Sequence, residues 1–292
     1  MIQTATTLDD LRLRPHWSYS AVNQFLRICP AQFAFQRVWK LKPAFVTESL
    51  PFGSAFHRTA EIFWHRRAEG GDASADMLAD LFGRVWRREV AETTTLQYQK
   101  DADFDLLLAQ GQAMIRAYRN GIGDLGEVIG VNVPFSIPLV DSDGVVLDRP
   151  IIGEFDLVLG KSGDQIICVD LKTAGQRYSE SKVAADLQPT VYLMAARGMF
   201  PDADVKFRWD VTLKLKKPEL VSYTTDRTED DYVRLGELVR VAERCIEAGL
   251  FIPNEGGHFC SGCGFSDLCR RSDWMRPGAA ALTTSPPMRE SA

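Results

Sequence analysis

The sequence lacks any apolar run approaching the ~18 residues of a membrane-spanning helix. Its first residues, "MIQTATTLDDLRLRP", hold no apolar stretch that would serve as a signal-peptide core. Both absences lead to the expectation of a cytoplasmic protein, or one in a host cytoplasm if phage-encoded, with no membrane partner. It also lacks a surplus of basic charge. The formal net charge is −5, which excludes a general nucleic-acid coat and leaves any phosphate contact to a local basic patch. No internal repeat is visible. No G-x₄-G-K-[ST] phosphate loop occurs, so a helicase motor, if one cooperates, must be a separate chain.

What remains is ordinary globular composition, 45% hydrophobic and 25% charged over 292 residues. Amphipathic spacing predicts helices over 18–40, where Pro30 interrupts, over 53–68 and within 74–120. Near residue 130 the character changes. "GVNVPFSIPLV", "VVLDRPIIGEFDLVLG" and "QIICVDLKT" read as strands joined by the turns "DSDG" and "KSGD". A helix over 181–200 follows, in which Pro189 should weaken or kink the rod. Two more strands, "DVKFRWDVTLKLKK" and "ELVSYTT", lead to a helix over 228–249. A cysteine-rich segment comes next, then a Pro/Ser/Ala tail over 276–292 expected to be disordered. The expected division of 1–275 is a helical lobe to residue 130, a core over 131–225, and a closing helix with the cysteines over 226–275.

Two acids stand inside apolar strands. Asp156 and Asp170 each lie seven residues from Gly163. A regular antiparallel hairpin centred there would set them opposite one another, with Lys172 on the same face as Asp170. Facing carboxylates repel, and a shared proton, the lysine or a divalent cation would relieve them. Oxygen ligands suit Mg²⁺ or Mn²⁺. A plain strand-end pairing of Lys172 with one acid is the alternative.

"GEFDLVLG…QIICVDLKT" resembles the core of the RecB-like PD-(D/E)xK nucleases. "GSAFHRTAE", with His57, resembles that branch's upstream His. "QPTVY", with Gln188 and Tyr192, resembles its Gln-xxx-Tyr motif, although Pro189 departs from it. The resemblance implies an α/β fold with a restriction-endonuclease-like mixed sheet flanked by helices, plus the helical N-terminal lobe. It implies His57, Asp156, Asp170 and the main-chain carbonyl of Leu171 as metal ligands. Lys172 would orient or help deprotonate the attacking water, and Gln188 and Tyr192 would face DNA. Glu61, one turn beyond His57, either assists or forms a solvated salt bridge.

Three thiols stand at Cys260-x₂-Cys263-x₅-Cys269, with Cys29 far upstream. That distribution resembles the iron–sulfur branch, which includes the AddB nuclease domain, exonuclease V and the exonucleases of CRISPR adaptation. It implies a [4Fe–4S] cluster on these four residues, with structural zinc the alternative and His258 a substitute ligand. Cys168 and Cys245 read as structural thiols. Arg12, Arg14, His16, Arg27, Arg37, Lys40 and Lys42 in the N-terminal region, and Lys206, Arg208, Lys214, Lys216 and Lys217 near the later strands, with Trp17, Tyr19 and Phe33, are candidate DNA contacts, although most read more readily as solvated faces and core aromatics. The function expected is a metal-dependent DNA exonuclease acting on ends or single strands, in recombination or repair, phage DNA metabolism or CRISPR adaptation. The competing expectation is a non-catalytic DNA-end-binding or adaptor module.

Overall fold

The computed structural model describes residues 6–99, 101–123, 126–161, 164–257 and 259–275. The tail over 276–292, Gly163 and His258 lie outside the described residues. The strands are β1 (Trp17–Ser18), β2 (Val46–Thr47), β3 (Leu96–Gln97), β4 (Glu127–Ile137), β5 (Ile151–Lys161), β6 (Gln165–Ala174), β7 (Asp204–Leu213) and β8 (Glu219–Thr225). The helices are α1 (Leu8–Arg12), α2 (Tyr19–Asn23), α3 (Pro30–Phe33), α4 (Ser49–Ala68), α5 (Ala75–Glu92), α6 (Phe104–Gly121), α7 (Glu180–Ala185), α8 (Leu187–Met199), α9 (Glu229–Glu247) and α10 (Ser266–Cys269).

The main sheet is mixed, as the sequence predicts. β4 pairs antiparallel with β5, β5 with β6, and β7 with β8, while β6 and β7 run parallel. Helices cover both faces. One core gathers Phe155, Val158, Phe207 and Trp209 against α2, α8 and α9. The other gathers Leu157, Leu159, Val169 and Leu171 against α4, α5 and α6. β6 is buried through its middle, which explains its run of apolar residues.

Two local departures from expectation shape the site. The 18–40 helix is broken into α2, a π-helical turn over Gln24–Ile28, α3, and a second π-helical turn over Ala34–Val38. Pro30 is the first residue of α3, where no helical N–H is needed. The expected 181–200 helix is likewise two helices, with Asp186 as the N-cap of α8. Pro189 is the third residue of α8. It falls among the four N–H groups that have no intrahelical partner, so it does not kink the rod.

Candidate active site

β5 and β6 are hydrogen-bonded only as far as Leu157 opposite Val169. The next residues along that register are Asp156 and Asp170, so the two strands fork at the two acids. At the far end of β5 the short β1 takes the place that β6 has left, pairing Trp17 and Ser18 with Ile151 and Ile152. The fork frees the Leu171 N–H, and Asp156 Oδ2 accepts it at 2.7 Å. Opposite, β4 carries Asn132 in the left-handed region at φ 52°. Here the alternation of side chains changes face. Phe155 and Val133 belong to one core, whereas Leu157 and Val131 pack in the other. Asp156 stands at that crossover.

His57 comes from α4. Its Nδ1 is 3.5 Å from Asp156 Oδ2, with 36% of the side chain exposed. Burial lowers its pKa, against the pull of Asp156 and a hydrogen bond to the Leu171 backbone. The imidazole is therefore neutral at neutral pH and keeps a lone pair for a ligand. His57, Glu61, Trp64, Asn132, Asp156 and Leu171 line a cavity of about 40 Å³, room enough for a water or an ion.

Asp170 is 2% exposed. Its Oδ1 accepts from Gln188 Nε2 at 2.6 Å. Lys172 Nζ stands 2.5 Å from Oδ2 as an ion pair, and this contact offsets the burial of that oxygen. Burial and then Asp156 push Asp170 above the usual carboxylate range, against Lys172 and Gln188. Burial pulls Lys172 down, but Asp170 and Asp156 outweigh it and hold the ammonium protonated.

Among the described residues no three His, Cys, Asp or Glu side chains already converge as a metal cage does. The donor set nevertheless fits a hard cation. It offers Asp170 Oδ2, the Asp156 carboxylate, the Leu171 carbonyl and a neutral imidazole. A cation on Oδ2 would supplant the Lys172 contact.

Gln188 and Tyr192 do not face outward as the resemblance implies. Gln188 is 4% and Tyr192 8% exposed. Trp209 Nε1 donates to Gln188 Oε1 at 3.2 Å. An indole can only donate, which fixes the amide with its NH₂ toward Asp170. Tyr192 donates to the Glu154 carbonyl at 3.1 Å and packs on Phe135, Phe155 and Phe207. Their place is beneath the site, not against DNA. Trp17 and Phe33 are buried too, and Tyr19 donates to Asp186 at 2.7 Å. Arg208 is buried against Asp210 at 2.9 Å. None of these four is a free DNA contact.

Sequence reasoning missed Asn132, Glu154 and Asp186. Burial, Asp156 and Glu61 raise the Glu154 pKa, which marks a crowd of acids at the cavity. An Asn inside the apolar "GVNVPF" is the signal that could have revealed the crossover. The signal that could have revealed Asp186 is an Asp, a favoured N-cap, three residues before Pro189.

The four cysteines Cys29, Cys260, Cys263 and Cys269 line one cavity of about 260 Å³. Three N–H groups point at sulfur: Gln32 N and Asn254 N at Cys29 Sγ, 3.5 and 3.4 Å, and Gln32 Nε2 at Cys263 Sγ, 3.5 Å. Burial, then Cys29 and Cys263, push the Cys269 thiol up to about 11. Four thiolates could share this space only with compensating positive charge. Phe35, Phe265 and Trp274 pack beside it, with ring centroids 5.6 and 5.0 Å from Phe35, and join the two ends of the folded chain. Cys168 is buried and Cys245 half-buried.

The profile of the PD-(D/E)XK nuclease superfamily matches residues 16–270. No curated protein matches the chain. Among solved structures, a protein from Eubacterium rectale provisionally named an exonuclease is 11% identical, over 98% of this chain and 100% of that one, with a TM-score of 0.48. Another, SSO0001, is 14% identical over 78% of this chain and 87% of that one, with a TM-score of 0.32.

Proposed function

We propose, on the premise that the chain belongs to the PD-(D/E)XK nuclease superfamily, that it is a divalent-metal-dependent DNA exonuclease acting at ends or on single strands. The observation that carries the reading is the fork. It places Asp156 and Asp170 at the point where two strands part, with His57, Lys172 and the Leu171 carbonyl around them.

His57, Asp156, Asp170 and Leu171 O would hold Mg²⁺ or Mn²⁺, which supplies charge to polarise the scissile phosphate and acidify water. Lys172, kept as an ammonium by its acidic neighbours, acts as a donor. It orients the attacking water and stabilises charge developing on phosphate oxygens. Gln188 holds Asp170 from below, and the buried Trp64 closes the cavity wall.

The thiol cavity is read as the seat of a [4Fe–4S] cluster in preference to zinc. The preference rests on the resemblance of Cys29 and Cys260-x₂-Cys263-x₅-Cys269 to the iron–sulfur branch, and N–H groups aimed at cysteine sulfur are a lever that tunes such clusters. It would fasten the N-terminal segment to the C-terminal one in a cytoplasmic, reducing compartment. The biological setting is DNA recombination or repair, phage DNA metabolism or CRISPR adaptation, with a helicase or CRISPR adaptation proteins as partners.

Mn²⁺-dependent degradation of end-labelled DNA tests the reading. Wild type should shorten the label progressively and Asp170→Ala should lose activity at least ~100-fold, the scale of a lost electrostatic contact. Equal rates would remove the mechanism. Anaerobically purified protein should be brown, with the colour lost in Cys260→Ala. A colourless protein carrying one zinc per chain would replace the cluster by zinc.

A further inference from the structure

The α7–α8 junction is built around a charge that the chemistry above does not use. Asp186 is 6% exposed. Its Oδ1 accepts from the Gln188 backbone N–H at 2.9 Å and from the Tyr19 hydroxyl at 2.7 Å. Its Oδ2 accepts from Lys182 Nζ at 2.8 Å. Its main-chain carbonyl accepts from Arg227 Nη2 at 2.9 Å. A helix cap needs only the first of these bonds. The Arg27 guanidinium adds a second tie from the N-terminal segment, donating to the Ala185 carbonyl at 2.5 Å.

Gln188, whose N–H is held by Asp186, is the residue whose side chain holds Asp170 Oδ1. Tyr19 and Arg27 belong to the segment that leads straight into Cys29. One continuous set of short bonds therefore runs from the helix before the cysteine cavity to the carboxylate at the fork.

We propose that Asp186 is a positioning residue for the metal site: docked onto the Cys29 segment through Tyr19, it fixes the start of α8 and so, through Gln188, the direction in which Asp170 presents Oδ2. The inference rests on the metal-dependent reading of the fork. It adds that the N-terminal segment is part of that site's framework. A ligand carboxylate held from behind by a fixed amide has fewer orientations to lose when a cation arrives.

The test is Mn²⁺ binding to the full-length protein without DNA, followed by electron paramagnetic resonance, beside the thermal midpoint and kcat and KM on a labelled oligonucleotide. Asp186→Ser keeps a hydroxyl that caps α8 but is too short to reach Tyr19 and Lys182. Asp186→Asn keeps the cap and the Tyr19 acceptor. Tyr19→Phe removes one hydroxyl and leaves its ring packing in place. The expected result is Mn²⁺ affinity roughly 3- to 10-fold weaker in Asp186→Ser and Tyr19→Phe, and near wild type in Asp186→Asn. kcat should fall in step, with KM for DNA within about twofold, which is the pattern of a misplaced site and not of lost substrate contact. A helix cap alone predicts that Ser and Asn behave alike. If Asp186→Ser fails to fold, Tyr19→Phe decides. Wild-type Mn²⁺ affinity in Tyr19→Phe at an unchanged thermal midpoint overturns the proposal. A wild-type protein that binds Mn²⁺ yet leaves DNA intact would refute the nuclease reading, while the comparison of affinities still tests the positioning role.

Discussion

At the scale of single residues, the site is a set of buried polar groups that hold one another in fixed roles. Gln188 is the clearest case, because Trp209 dictates which end of its amide meets Asp170. Gln188→Leu would leave the Trp209 N–H and one Asp170 oxygen buried without partners. A loss of about 2–4 kcal/mol is expected from urea unfolding. The metal-ligand candidates were legible because carboxylates inside apolar strands are conspicuous, and a turn assumed at Gly163 sets them opposite one another, with alternation placing Lys172 on the face of Asp170. The burial of Gln188 and Tyr192 was not. Their i, i+4 spacing fixes a common face of α8 but does not say whether that face looks toward solvent or toward the sheet. Nor does spacing show that Asn132 takes a left-handed backbone.

At the scale of elements, helices and strands were mostly readable from periodicity, while their breaks were not. Pro30 and Pro189 mark interruptions, but a proline in a first turn starts a helix as readily as a proline in the middle bends one. Only the caps decide between the two, and Asp186, an Asp three residues before Pro189, was a readable N-cap signal. The joint between α9 and the turn after β4 shows how strongly a cap-like carboxylate can be held. Glu237 accepts from Ser142 N–H at 2.8 Å and Ser142 Oγ at 2.6 Å, and pairs with Arg240 at 2.7 Å. These bonds lower its pKa from 4.5 to about 2. A group depressed on folding adds stability above its unfolded pKa and loses it as pH falls through the folded one. The thermal midpoint of wild type should therefore exceed that of Glu237→Gln at pH 6. The gap should close as pH drops from 4.5 toward 2. A gap constant across that window would show that the carboxylate charge does not matter there.

For the whole molecule, the described chain has two cores on opposite faces of one sheet and a third, aromatic cluster where its ends meet. The third is small, with Ala31, Phe35, Phe265 and Trp274 as its buried members. It should therefore be the first region to open. Trp274→Ala removes the T-shaped contact with Phe35 at 5.0 Å and another with Trp39 at 6.3 Å. A cost of about 3–5 kcal/mol is expected for so large a truncation. It should appear locally, as faster proteolysis between residues 251 and 275 with the sheet still protected. Uniform cleavage throughout the chain would mean that the aromatic cluster and the sheet unfold together. Distance in sequence hid this cluster: Phe35 and Trp274 have no periodic relation, and only the pattern of thiols hinted that the two ends meet.

The crossover at Asp156 makes the spacing of β5 more demanding than its composition. The strand's odd-numbered residues feed one core before Asp156 and the other core after it. An isosteric swap on either side would be absorbed locally. Adding or deleting one residue next to Asp156 would turn half the strand over, sending side chains shaped for one core into the other. What this stretch has to preserve is its count.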